Sequence, residues 1–133
     1  MNLELHHFFI LVKPSGEVAD LLSLLGMPEG TRNKHEGQGT SNRRFNFSNG
    51  TLEILWVHDV QEAMDGPGRD MFFPERVGSP TACPFGLIFN RKDNADRLSI
   101  EHGEEHLMEV TFNENQLGRS KDFRPNLPLI VRW

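Results

Sequence analysis

Glu53 interrupts an apolar run, Leu52-Glu53-Ile54-Leu55-Trp56-Val57. A carboxylate turned toward an interior must be paired, hydrogen-bonded or bound to a cation, because an isolated buried charge costs many kcal/mol. On a strand its same-face neighbours are Leu55 and Val57, which argues for an inward side chain over a solvated one. His6 and His7 sit inside a second apolar stretch, Leu3 to Val12. Adjacent strand residues point to opposite faces, so the spacing predicts that only one of the two enters a given pocket. An imidazole on one strand and a carboxylate on its neighbour could supply nitrogen and oxygen to Fe, Mn, Ni or Zn. Glu53 could alternatively move a proton as a base.

Other candidates are weaker. His102 and His106 flank Gly103-Glu104-Glu105. They have the i, i+4 spacing of helical ligands, but the glycine and the adjacent charges favour a solvated acidic turn. His35-Glu36-Gly37-Gln38-Gly39-Thr40 is glycine-rich but lacks the lysine of a phosphate-binding loop. Cys83 is the sole cysteine, which excludes an internal disulfide and a zinc site of several thiolates. Beside Pro84 it has no basic neighbour to activate it.

The elements that must position these groups follow from pattern. Residues 3–12 read as a strand covered on both faces. A helix is expected next, with Ser15 as N-cap and Val18, Leu21, Leu22 and Leu25 as its buried stripe. Gly26 suits a left-handed C-cap, and Pro28 bars continuation. A weak strand is expected within 30–38. An alternating strand around Arg44–Phe47 then turns at Asn49-Gly50, residues that tolerate positive φ, into a strand over Thr51–His58. Residues 59–84, rich in Pro and Gly, form a long connector with a helical turn near Val60–Met64. Further strands are expected at Pro84–Phe89, 105–112 and Leu127–Trp133.

The 133 residues suit one domain. A net charge of −5 and scattered basic residues speak against a nucleic-acid partner. No apolar run reaches the ~20 residues of a membrane span, and no signal peptide is evident, so a cytoplasmic protein is expected.

Several stretches, taken in order, resemble the vicinal oxygen chelate superfamily (glyoxalases, bleomycin-resistance proteins and extradiol dioxygenases), and in particular its glyoxalase-like branch. They are Leu5-His6-His7-Phe8-Phe9-Ile10-Leu11-Val12, Leu24-Leu25-Gly26-Met27, His35-x-Gly-x-Gly-Thr-x-Asn42 and Asn49-Gly50-Thr51-Leu52-Glu53-Ile54-Leu55. Phe72-Phe73-Pro74-Glu75-Arg76, Cys83-Pro84-Phe85-Gly86 and Leu127-Pro128-Leu129-Ile130-Val131-Arg132-Trp133 are similar as well.

The resemblance implies an α+β fold of paired βαβββ modules, whose curved mixed sheet encloses a cleft. The first module would be 1–58, the connector 59–84, and the second module, 85–133, incomplete with little helix. It also implies that His7, not His6, and Glu53 hold a divalent metal. Phe9 and Leu11 would line the cleft, while His6, Phe8, Ile10 and Val12 face the helix. The second pair of family ligand positions falls at Gly86, which has no side chain, and near Arg132, which cannot ligate a cation. His35, His102, His106 or a second subunit would have to complete the shell. His35, Asn42, Phe45, Phe47 and Arg132 join Phe9 as expected substrate contacts.

Two functions follow from this reading. One is a metal-dependent enzyme that chelates vicinal oxygens of a small metabolite, with the ion as Lewis acid. The other is a metal-free small-molecule sequestering protein that stacks its ligand on Phe9, Phe45 and Phe47. The short second module makes a homodimer the expected assembly.

Overall fold

The structure is a computed structural model that describes residues 3–91, 109–110 and 129–132, with side chains over 4–89. It is an α+β fold. The strands are β1 (Leu3–Leu11), β2 (Asn33–His35), β3 (Thr40–Phe47), β4 (Gly50–Val57), β5 (Phe85–Arg91), β6 (Glu109–Val110) and β7 (Leu129–Arg132). They form one open mixed sheet in the order β2-β3-β4-β1-β5-β7-β6. β1 pairs in parallel with β4, which pairs antiparallel with β3. The pattern repeats across the sheet: β5 is parallel to β7, and β7 antiparallel to β6. The antiparallel pair β1·β5 joins the two halves.

Strand parity sorts the side chains onto two faces. One face carries Phe9, Leu11, Leu55, Val57 and Ile88, packed with Ala63, Met71 and Phe73. The other carries Phe45, Leu52 and Ile54, packed with Ala19 and the half-buried Phe8, Ile10, Val12, Leu22 and Met27.

Helix α1 (Glu17–Leu24) covers the second face but departs from the expected cap and stripe. Its N-cap is Gly16, in the left-handed conformation, and no side chain caps the first turn. Val18, Leu21 and Leu25 are exposed, whereas Ala19 is fully buried. The cause lies beneath the helix. Arg43 of β3 donates from Nη1 to the Gly16 carbonyl and to Asp20, and from Nη2 to Ser23 Oγ at 3.5 Å. These contacts hold α1 with Ala19 on the sheet and, of the expected stripe, only Leu22 packed beside it. The helix ends as expected at Gly26, with φ of 88° and Met27 N–H donating to the Leu22 carbonyl.

The β3–β4 hairpin forms, but its two turn residues are Ser48 and Asn49, closed by Phe47 opposite Gly50. Neither Asn49 nor Gly50 takes a positive φ.

The connector is largely helical rather than irregular. It contains α2 (Val60–Asp65), a 3-10 turn at Arg69–Met71 and α3 (Phe73–Gly78). Asp59 caps α2 by accepting from Glu62 N–H at 2.9 Å. Ala63, Met71 and Phe73 from this segment complete the first apolar cluster. The expected strand at 105–112 is described only at β6, and the expected shortage of helix in the second half falls on residues outside those described.

Candidate functional site

The first face of the sheet borders a cavity of about 300 Å³. Its apolar side is Phe9, Leu55, Met71, Phe73 and Ile88. Its polar side is built from β1, β2, β3 and β4 by His7, His35, Arg44 and Glu53, with Asn33, Glu36 and Gln38 at the β2–β3 end.

Two glycines set these walls. Gly39, with φ of 72°, packs where a Cβ would meet the backbone of Asp59 and Ala63. Its N–H donates to Glu62 Oε2 at 2.8 Å, and its carbonyl accepts from His58 and Asp59 N–H, which pins the β2–β3 turn to α2. Gly86 lies opposite Phe9 across β1·β5, where any Cβ would enter the Phe9 ring. The space beside Gly86 is therefore filled by an aromatic ring. Phe9 in turn meets Phe73 edge-on, with ring centroids 5.8 Å apart.

His7 and Glu53 come from neighbouring strands, where Glu53 lies diagonal to His7 by way of the pair Phe9↔Glu53. Both are buried, at 6 % and 4 % exposure. His7 Nε2 lies 3.1 Å from Glu53 Oε2. A carboxylate only accepts, so Nε2 carries the hydrogen. The other ring nitrogen, Nδ1, lies 2.6 Å from His6 Nδ1. Of the two histidines His7 alone lines the cavity, as strand alternation requires, yet their rings touch. The reason is a β-bulge: β1 advances from Leu5 to His7 while β5 advances only from Phe89 to Ile88. The extra residue re-aims His6 toward its neighbour, as bulges do beside functional sites. Burial of the ring, and then the charges of His7 and Arg44, lower the pKa of His6.

Asn42 fixes the other side of Glu53. Its Oδ1 accepts from Asn33 N–H at 2.9 Å, which turns Nδ2 toward Glu53 Oε1 and toward His35 Nε2 at 3.3 Å. His35 Nε2 is then the acceptor, and its Nδ1–H donates to Thr40 Oγ1 at 2.9 Å. Burial lowers the His35 pKa, which agrees with this neutral tautomer. Burial alone would raise the Glu53 pKa, but the hydrogen bond and charge of His7, the Asn42 hydrogen bond and the charge of His35 together outweigh it and hold the carboxyl below its ordinary value. Glu53 is thus an anion with one hydrogen-bond donor on each oxygen. A base with both oxygens occupied and a lowered pKa is poorly suited to taking protons.

The sequence candidates divide by strand parity. His7, Phe9, His35 and Glu53 line the cavity, and Asn42 stands behind Glu53 and His35. Phe45 and Phe47 do not reach it. On β3 the cavity side belongs to Asn42 and Arg44, so Phe45 is buried on the α1 face and Phe47 is exposed. Leu11 is buried in the first cluster but does not line the cavity. Arg132 lies on β7, opposite Phe89 and Glu109, and its side chain is outside the described ones, as are His102 and His106. Sequence reading missed Arg44 and the connector residues Pro67, Met71 and Phe73. Arg44 shares parity with Asn42, which was the available signal; nothing in the connector's composition marked its three.

An imidazole nitrogen and a carboxylate oxygen suit a divalent ion chemically. Among the described residues, however, no group of three or more His, Cys, Asp or Glu side chains is arranged to hold one. His35 Nε2 is 3.9 Å from Glu53 Oε1 and faces the Asn42 amide. Among the described residues, His7 and Glu53 are therefore the two groups that could ligate an ion side by side. Neither a scan of protein families nor a search of curated proteins finds a match for the chain.

Proposed function

We propose that the protein binds a small organic molecule in the cavity beside His7 and Glu53, in the manner of the metal-free sequestering members of the superfamily it resembles. The observation that carries this reading is the state of Glu53. Its two oxygens accept from His7 and Asn42, so the buried carboxylate has hydrogen-bond partners within the protein without calling on a metal. The cavity offers an apolar floor with a few polar groups at one end, the usual composition of a ligand pocket, and sits at the small end of the range of about 300–1,000 Å³.

The test is ligand-observed NMR with a panel of small aromatic acids, amides and amines, on protein treated with chelator. Binding should persist after chelation and vanish in Ile88→Trp, whose larger ring fills the floor. Circular dichroism would confirm that the variant is folded. Binding unaffected by Ile88→Trp would remove the cavity from the account.

One observation favours a second reading, the metal-dependent glyoxalase-like enzyme. A separation of 3.1 Å between His7 Nε2 and Glu53 Oε2 also suits two adjacent ligands at bond lengths of about 2.0–2.2 Å. When bound, such an ion would polarise a substrate oxygen as a Lewis acid. Elemental analysis of protein purified without chelator, compared with His7→Ala and Glu53→Ala, decides between the readings. Stoichiometric metal lost in both variants establishes the second; trace metal in all three retains the first.

A further inference from the structure

Given that the cavity binds a small molecule, we infer that its ligand is a carboxylate with an apolar body, held through the Arg44 guanidinium. Arg44 lines the cavity from β3, half-buried. Among the described residues its neighbours leave most of its donors unused. Asn33, turned with its amide oxygen toward Arg44, accepts from Nη2 at 3.3 Å. The nearest carboxylate oxygen, Glu53 Oε1, is 3.9 Å away and already accepts from Asn42. A guanidinium presents five N–H groups in a planar fork, so Arg44 keeps donors for an acceptor that the described residues do not supply.

The other polar groups narrow the acceptor's chemistry. His7, Asn42 and His35 spend their hydrogens on Glu53, on Glu53 and His35 Nε2, and on Thr40 respectively. Glu53 already accepts from His7 and Asn42, and the Arg44 charge 3.9 Å from its Oε1 opposes a second cation beside it. Glu36 at the rim is exposed and solvated, so its charge is screened. Arg44 is therefore the group with unused bonding capacity, and a planar, two-oxygen anion matches its geometry. Phe9, Leu55, Met71, Phe73 and Ile88 then cover the hydrocarbon part.

Three probes of one shape separate the possibilities: 3-phenylpropanoate, 3-phenylpropanamide and 3-phenylpropylamine, titrated by calorimetry into native protein, Arg44→Gln and Arg44→Lys. The acid should bind native protein about ten- to hundredfold more tightly than the amide, as a charge-assisted bidentate contact warrants. Arg44→Gln should bring acid and amide within about threefold, and Arg44→Lys should keep part of the preference, since it retains charge without the fork. Equal binding of acid and amide by native protein, or tightest binding of the amine, overturns the inference while leaving the cavity reading intact. Binding of none of the three overturns both.

Discussion

Arg43 and Arg44 are consecutive in the chain and opposite in fate. Arg43 points to the α1 face and is saturated. Its Nε and Nη2 donate to the Glu29 carboxylate at 2.7 and 2.6 Å, and Nη1 pairs with Asp20 and the Gly16 carbonyl. Arg44 points to the cavity and holds one amide oxygen at 3.3 Å. The same residue type is a structural tie on one face and an open donor on the other. What separates them is whether the chain itself supplies the acceptors. A charge whose partners are all built in stabilises the fold; a charge left with spare donors in a hollow is available to a ligand.

The sharpest way to break this contrast is Arg43→Met. It leaves Glu29 to Arg32 and Ser23 and removes the ties between β3 and α1, and should cost about 3 kcal/mol, the loss of several charge-assisted hydrogen bonds. Thermal unfolding would show this as a midpoint lowered by roughly 10 °C. A loss under about 1 kcal/mol would mean that the tie is ornamental.

Acid titration probes the same tie from its other end. The hydrogen bond from Arg43, set against burial and aided by Arg32, lowers the Glu29 pKa from 4.5 to about 2. A depressed carboxyl contributes stability above its unfolded pKa and loses it as pH falls through the folded value. Stability should therefore fall by about 2–3 kcal/mol between pH 5 and pH 2, and Glu29→Gln should flatten that part of the urea-midpoint profile. An unchanged profile in the variant would assign the acid sensitivity elsewhere.

On the cavity face, Glu53→Gln keeps the shape but turns an amide donor toward His7 or Asn42. It should cost about 2 kcal/mol, in line with one buried donor left without an acceptor. Chemical denaturation measures it directly, and a stabilised variant would contradict the assignment of Glu53 as a hydrogen-bonded anion. Arg44→Gln should be the mildest, within about 0.5 kcal/mol of native stability, because few of its donors are spent on the fold. If it destabilised as much as Arg43→Met, the contrast between the two arginines would disappear.

Pattern carried much of the architecture. Apolar runs and turn residues marked β1, α1, the β3–β4 hairpin, α2 and β5, because burial period and turn chemistry are local properties. The buried character of Glu53 was also legible, from its apolar same-face neighbours. The phenylalanines show the limit. Phe9, Phe45 and Phe47 look alike as stacking surface, yet only strand parity relative to Glu53 decides that Phe9 alone meets the cavity. The His6–His7 contact was beyond reach for a related reason. A bulge is a mismatch between two strands about 80 residues apart in sequence, and neither strand announces it alone.

Residue order by itself determined which strands exist, where the chain turns, and that one carboxylate had to be buried with partners. The tertiary structure decided who those partners are and which charges remained open. Asn42 is oriented by a backbone N–H from another strand, α1 is held by an arginine beneath it, and Arg44 is left facing a hollow roofed by the connector. Hydrogen-bond saturation depends on every group within reach in space, and composition and periodicity report only on neighbours along the chain.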